Sequence, residues 1–172
     1  MPERARVPML TLDQALASLL EAARQHAIVD VDEVATLDSL HRVLARALVS
    51  PVDVPPADNT SMDGFAVRVT DVVVAREGPS AGGGVVLPVS QRIAAGHAPQ
   101  PLEPGTAARI FTGALIPEGA DAVVMQEQCF VTPAGVQIQA EPRVGQWIRR
   151  RGEDVASGHE VLPRGARMTP QA

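Results

Sequence analysis

Three short stretches of this chain combine residue types that can do chemistry. Asp58-Asn59-Thr60-Ser61-Met62-Asp63-Gly64 precedes the apolar run Phe65-Ala66-Val67 and sets two carboxylates among turn-forming residues. Asp, Asn and Ser close turns by side-chain to backbone hydrogen bonds and Gly tolerates positive φ, so the stretch reads as an ordered loop that aims Asp63 outward. Alone, it reads first as an acidic hairpin or strand-entry turn. In Arg109-Ile110-Phe111-Thr112-Gly113-Ala114 the Thr112-Gly113 pair directly follows a strand-like run, where its hydroxyl and amides can form a small anion-binding nest or simply end a strand. Arg149-Arg150-Arg151 offers planar donors for phosphate or another oxyanion, while the following Glu153 and Asp154 can neutralise them in a surface ion-pair network. Carboxylates held in loops suit Mg²⁺, general-base work or the steering of a bound water. No Ser-His-Asp or Cys-His signature accompanies them, so chemistry on a phosphate or metal oxyanion fits better than acyl transfer.

The bulk properties remove several function classes. The chain has 172 residues, 45% of them hydrophobic, enough for a real core. With 15 basic against 20 acidic residues, a net charge of −5, and only Phe65, Phe111, Phe130 and Trp147 as aromatics, it lacks the basic groove and stacking rings of a nucleic-acid platform. Cys129 stands alone, so neither a disulfide framework nor a cysteine zinc site is available, and a reducing compartment is expected. His26, His41, His97 and His159 are far apart in sequence and read as structural or surface residues. The N-terminus lacks a signal-peptide apolar stretch and no run is long enough to span a bilayer, so a soluble, cytoplasmic protein without a membrane partner is expected.

The elements that must position these stretches are legible in outline. Thr11-Leu12-Asp13-Gln14 resembles a capping box and opens a helical apolar spacing at Leu12, Ala15, Leu16, Leu19, Leu20 and Ala23, predicting a helix over 12–26. Residues 33–37 read as a short extended segment and 39–47 as a second helix by propensity, stopped by Pro51, Pro55 and Pro56. From residue 50 to about 142, short β-branched runs recur between Gly and Pro clusters, at 65–74, 84–89, 109–111, 122–126 and 136–139. Residues 158–165 read as a strand pair or ribbon. Ala81-Gly82-Gly83-Gly84 lacks the Lys-Ser/Thr ending of a phosphate loop and no helix pattern follows it.

Taken together, residues 58–67, 109–124 and 148–154 closely resemble the molybdopterin molybdenumtransferase family, shared with the E domain of gephyrin, in the family's order and spacing. The likeness runs from the first helix to the C-terminus. It implies an α+β architecture: an elongated mixed helix and strand domain formed by both chain ends, 1–49 and 143–172, interrupted by an inserted β-rich, barrel-like domain at 50–142. It implies Mg²⁺-dependent insertion of molybdate into adenylated molybdopterin, with release of AMP, in molybdenum cofactor biosynthesis. Asp63 matches a loop aspartate of the family's active site, Thr112 a threonine lining the same cleft, and Asp154 the aspartate after the arginines. With Gly113, Arg149 and Arg150 these make the expected substrate-binding set around a catalytic Asp63; metal ligands are unknown.

The sequence departs from the family at Phe65, usually tyrosine, at His41, where glycine is common, and at Trp147, where a small polar residue is usual. Family enzymes continue with a pterin-binding α/β domain and a small β domain that this sequence lacks, and the family's site lies between two subunits. The expectation is therefore half of a composite site, inactive alone, within a homodimer or with cofactor-synthesis partners. Two alternatives stay open: a non-catalytic dimerisation or interaction module, and a Mg²⁺-dependent phosphoesterase using loop carboxylates.

Overall fold

The apolar run Phe65-Ala66-Val67 is buried on both faces, because the strand that carries it lies inside a sheet with a core on either side. The computed structural model describes residues 9–77 and 84–172, so the glycine stretch lies outside the described residues except for Gly84. By backbone contacts the chain divides into Met1–Ala45 with Arg167–Ala172, and Arg46–Ala166. The molecule mixes few helices with several small sheets.

In the first unit, α1 spans Leu12–Gln25. The Thr11 hydroxyl accepts from the Gln14 amide at 3.3 Å and the Gln14 side chain accepts from the Thr11 amide at 3.0 Å, the reciprocal capping box read from the sequence. None of its residues is buried, and Leu12 and Leu19 are 82% and 68% exposed. The expected extended segment at 33–37 is instead partly a 3₁₀ turn at Thr36–Asp38. The expected helix at 39–47 is absent. His41 adopts φ 66°, and the backbone groups at 41 and 42 bond Met168, whose carbonyl accepts from His41 and whose amide donates to Arg42. Partners supplied by the other end of the chain replace the intrahelical ones that propensity anticipated.

The second unit holds strands β1 (Leu48–Val49), β2 (Asn59–Thr60), β3 (Gly64–Val67), β4 (Val85–Leu87), β5 (Val89–Ile93), β6 (Ala107–Ile110), β7 (Ala122–Met125), β8 (Cys129–Thr132), β9 (Gly135–Ile138), β10 (Ile148–Arg149) and β11 (Glu160–Leu162), with helix α2 at Val69–Glu77. They form a four-stranded sheet in the order β5-β6-β3-β7, a three-stranded sheet β4-β9-β8, and the pairs β1-β11 and β10-β2. All pairings are antiparallel except β5 with β6.

Side chains alternate across the four-stranded sheet with period two. One face sends Phe65, Val67, Ala107, Ala122 and Val124 into a core shared with Val85, Leu87, Val136 and Ile138 of the three-stranded sheet. The other sends Ala66, Ala108, Ile110 and Val123 into a second core with Ile93, Leu102, Ala114 and Ile148. The expected strand at 65–74 therefore ends at Val67. The Asp121 carboxylate accepts from the Val69 amide at 2.7 Å, capping α2, which buries only Val72. A cap supplied from 52 residues away overrides the β preference of Val72-Val73-Val74.

Candidate functional site

Residues 58–64 are built from the inside out. Thr60 is 1% exposed, and its hydroxyl donates to the Met62 carbonyl at 2.7 Å while accepting from the Met62 amide at 3.1 Å. This buried hydroxyl fixes the turn that presents Asp63. β2 pairs Asn59 with Arg149 and Thr60 with Ile148 on one side. On the other, Asn59 bridges Leu115, the Asp58 carbonyl accepts from Ile116, and the Thr60 carbonyl accepts from Gly113. The segment is thus wedged between the two other stretches that the sequence singled out.

At its end, Asp63 Oδ1 accepts from the Thr112 amide at 2.8 Å and from the Thr112 hydroxyl at 2.7 Å. These two donors, with Arg109 adding a favourable charge, hold the Asp63 carboxyl below the usual carboxylate range. Asp63 is ionised near neutrality and a weak proton acceptor, better suited to anchoring a cation or a donor than to general-base work. Oδ2 takes no hydrogen bond from any described residue.

The anion nest at Thr112-Gly113 is not formed. The Thr112 amide is spent on Asp63, that of Gly113 on the Thr60 carbonyl and that of Ala114 on the Phe111 carbonyl. Gly113 serves geometry: it sits at φ 81° and a Cβ there would meet nothing closer than Ala95 at 3.8 Å. The pair presents acceptors, namely Asp63 Oδ2 and the lone pairs of Thr112 Oγ1.

The arginine cluster is an ion-pair network, with partners largely different from those adjacent in sequence. Arg149 pairs with Asp154 at 2.5 Å and reaches Glu153 at 3.8 Å; Asp154 pushes the Arg149 guanidinium further up. Glu153 also caps the Arg150 amide at 2.8 Å. Arg150 pairs with Asp58 at 2.6 Å and Arg151 with Asp53 at 2.5 Å, links spanning 92 and 98 residues. Asp58 is lowered by the Arg151 amide and then by Arg150, Asp53 by the Ser157 amide and then by Arg151. Asp58 therefore ties the arginine turn to the loop that ends in Asp63, a link no local spacing could reveal. Asp63 and Thr112 are brought into direct contact. Arg149, Arg150 and Asp154 join the same segment from its other end, with no bond to Asp63.

Sequence reasoning passed over the surroundings of Arg109. Its guanidinium donates to the Gly64 carbonyl at 3.1 Å and to Gln126 Oε1 at 2.7 Å, over the rings of Phe65 and Phe111. Phe65, expected from the sequence to be a departure from the resembled family, is 3% exposed and a core ring. His41 and Trp147, the other departures, are the described non-glycine residues with positive φ, at 66° and 58°. Among the described residues no group of three or more His, Cys, Asp or Glu could hold a metal ion, and no helix is long and apolar enough to cross a membrane.

This arrangement of loop, strand exit and arginine turn is covered by a family model described as MoeA N-terminal region (domain I and II), which matches residues 10–172. The chain belongs to the MoeA family, as its N-terminal part. It is similar to the molybdopterin molybdenumtransferase of Haemophilus influenzae, 41% identical over 167 residues, covering 94% of this chain and 38% of that protein. The molybdopterin molybdenumtransferase of Synechococcus elongatus is 37% identical over 166 residues, with 95% and 40% covered. Two solved structures of the molybdopterin biosynthesis MoeA protein of Pyrococcus horikoshii align with TM-scores of 0.76 and 0.75 at 33% and 35% identity, covering 91% and 84% of this chain and 39% and 37% of theirs. This MoeA N-terminal part spans about two fifths of the length of the relatives it matches.

Proposed function

We propose that the chain supplies one wall of a composite site for inserting molybdate into adenylated molybdopterin with release of AMP, the remaining wall coming from the portion of the family enzyme it does not span. The observation that carries this reading is Asp63, held by two donors on one oxygen while the other oxygen is unspent, on motifs that match the family. Thr112 and Gly113 fix the orientation of Asp63. Arg149, Arg150 and Asp154 hold residues 58–60 and thereby the loop, acting on the ligand through position. Residues 50–142 are read as the β-rich insert between chain ends 1–49 and 143–172, in a cytoplasmic homodimer.

Mg²⁺ fits this wall in a limited way: Asp63 is one ionised carboxylate with a free oxygen beside a hydroxyl, and Mg²⁺ is commonly held by one or two carboxylates with water and substrate phosphates. Bound there, Mg²⁺ would neutralise charge developing on a phosphoryl oxygen. Asp63 itself keeps its charge at working pH and has one oxygen not engaged by Thr112.

The test is Asp63→Ala in a complete enzyme that contains this segment. Molybdenum insertion, followed as AMP release from adenylated molybdopterin with molybdate and Mg²⁺, should fall ~100-fold or more with the fold intact. Wild-type turnover would remove Asp63 from the mechanism.

A second reading, an interaction module, is favoured by one observation: the leucines of α1 form an apolar stripe left uncovered, Leu16 and Leu20 being 52% and 50% exposed. Light scattering on the chain and on Leu16→Glu would show association by wild type that the variant loses.

A further inference from the structure

Beyond the first core, one face of the four-stranded sheet ends in a ladder of rings and cations that the Asp63 geometry leaves unexplained. Ala107, Arg109 and Phe111 follow one another along β6 and its exit on that face. Phe65 of β3 faces Arg109 in register, and so does Arg92 of β5 from the parallel side. The Arg109 guanidinium lies 5.1 Å from the Phe65 ring centre and 4.6 Å from that of Phe111, and the Arg92 guanidinium lies 4.4 Å from Phe111. Two cations thus share one ring.

Neither cation has a carboxylate partner among the described residues, in contrast to Arg149, Arg150 and Arg151, each of which has one. Arg109 is partly engaged, by Gly64 and Gln126. Arg92 is exposed, and the ring contact is the only interaction its side chain shows among the described residues. Stacking on the ring fixes the planar fork at little entropic cost and leaves its N–H edge for an oxyanion. Phe111 immediately precedes Thr112, and the charge of Arg109 is felt at Asp63, so the ladder borders the Asp63–Thr112 pair.

We propose that Arg92 and Arg109, held by Phe111, form a phosphate-binding point that takes the pyrophosphate of a nucleotide-like ligand beside Asp63. This supplies the anion-binding function that Thr112-Gly113 cannot, since the amides there are spent. Two cations match a multiply charged phosphate better than a single carboxylate. The assignment rests on the reading of the site given above, yet it concerns binding and can be tested apart from molybdenum chemistry.

The probe is inorganic pyrophosphate, titrated into the chain calorimetrically at low ionic strength, where exposed charges are least screened. Wild type should bind, Arg92→Gln should weaken binding ~5–10-fold and flatten its salt dependence, and Arg164→Gln, altering an exposed arginine on a separate turn, should change nothing. Arg92→Lys, which keeps the charge and loses the fork, should fall between. Thermal melts of each variant report the fold. Unchanged affinity in Arg92→Gln, equal weakening in Arg164→Gln, or no saturation by wild type up to about 10 mM would overturn the proposal. Failure of Asp63→Ala to abolish insertion would instead strike the functional reading and leave the pyrophosphate result standing.

Discussion

Gly64 and Gly113 flank the candidate site for different physical reasons, and alanine at each should separate them. A Cβ on Gly64 would lie 2.0 Å from the Val124 carbonyl oxygen, 2.9 Å from its carbon and 3.1 Å from the Met125 Cα, all of them backbone atoms. Carbon to oxygen contact needs about 3.3 Å, so β3 and β7 would have to separate locally by more than about 1 Å. No rotamer can relieve this, and the strain falls on the strand that pairs with both neighbours and is buried on both faces. Overpacking of a core costs about 1–3 kcal/mol, and a backbone clash with no flexible partner belongs at or above the top, near ~3–4 kcal/mol. A Cβ at Gly113 would make only an ordinary contact with Ala95 at 3.8 Å, and φ is 81°, so Gly113→Ala should cost only the left-handed strain, about 1–2 kcal/mol. In urea, Gly64→Ala should lower the unfolding midpoint by roughly 1.5–2 M and Gly113→Ala by less than about 1 M. Equal midpoints would refute the claim that close approach of β7 dictates glycine at position 64.

Three further outcomes follow from the same structure. Asp53, Asp58 and Asp63 are lowered from 3.8 in the folded chain, so each contributes stability that is present above about pH 4 and lost as pH falls through its folded value. Thr112→Val should raise the Asp63 value in a carboxyl NMR titration, and an unmoved titration would remove Thr112 from its environment. Asp58→Ala should destabilise more than Asp154→Ala in urea melts, because Asp58 joins Arg150 and the Arg151 amide across 92 and 93 residues while Asp154 reaches back only five. Both are exposed pairs, so both effects are small and only their order is the test: equal midpoints would refute it. The half-buried Cys129 thiol is pushed up to about 11 by burial, so a disulfide reagent at pH 8 should label the native chain far more slowly than the urea-unfolded one; equal rates would contradict its burial.

Local signals in the sequence carried local structure. Thr11 and Gln14 announced α1 because a capping box is complete within four residues. The runs at 122–126 and 136–139 announced β7 and β9 because alternation and turn residues are equally local. Two of the failed expectations, a helix at 39–47 and a strand through Val74, fell where partners come from far along the chain: Met168 for the first, Asp121 for the second.

The candidate site divides in the same way. The residue types, the ordered loop around Asp63, and the family resemblance through residues 58–67, 109–124 and 148–154 were present in the sequence by itself. It could also name Thr112 as a neighbour of a strand exit. Only the tertiary structure decided that Thr112 spends its amide and hydroxyl on Asp63, that Asp58 and Asp53 claim Arg150 and Arg151, and that Arg92 and Arg109 share Phe111 without an ion pair among the described residues. The physical reason is that the chemistry of a polar group depends on which donors and charges remain unpaired around it. That accounting closes only when strands distant in sequence are laid side by side.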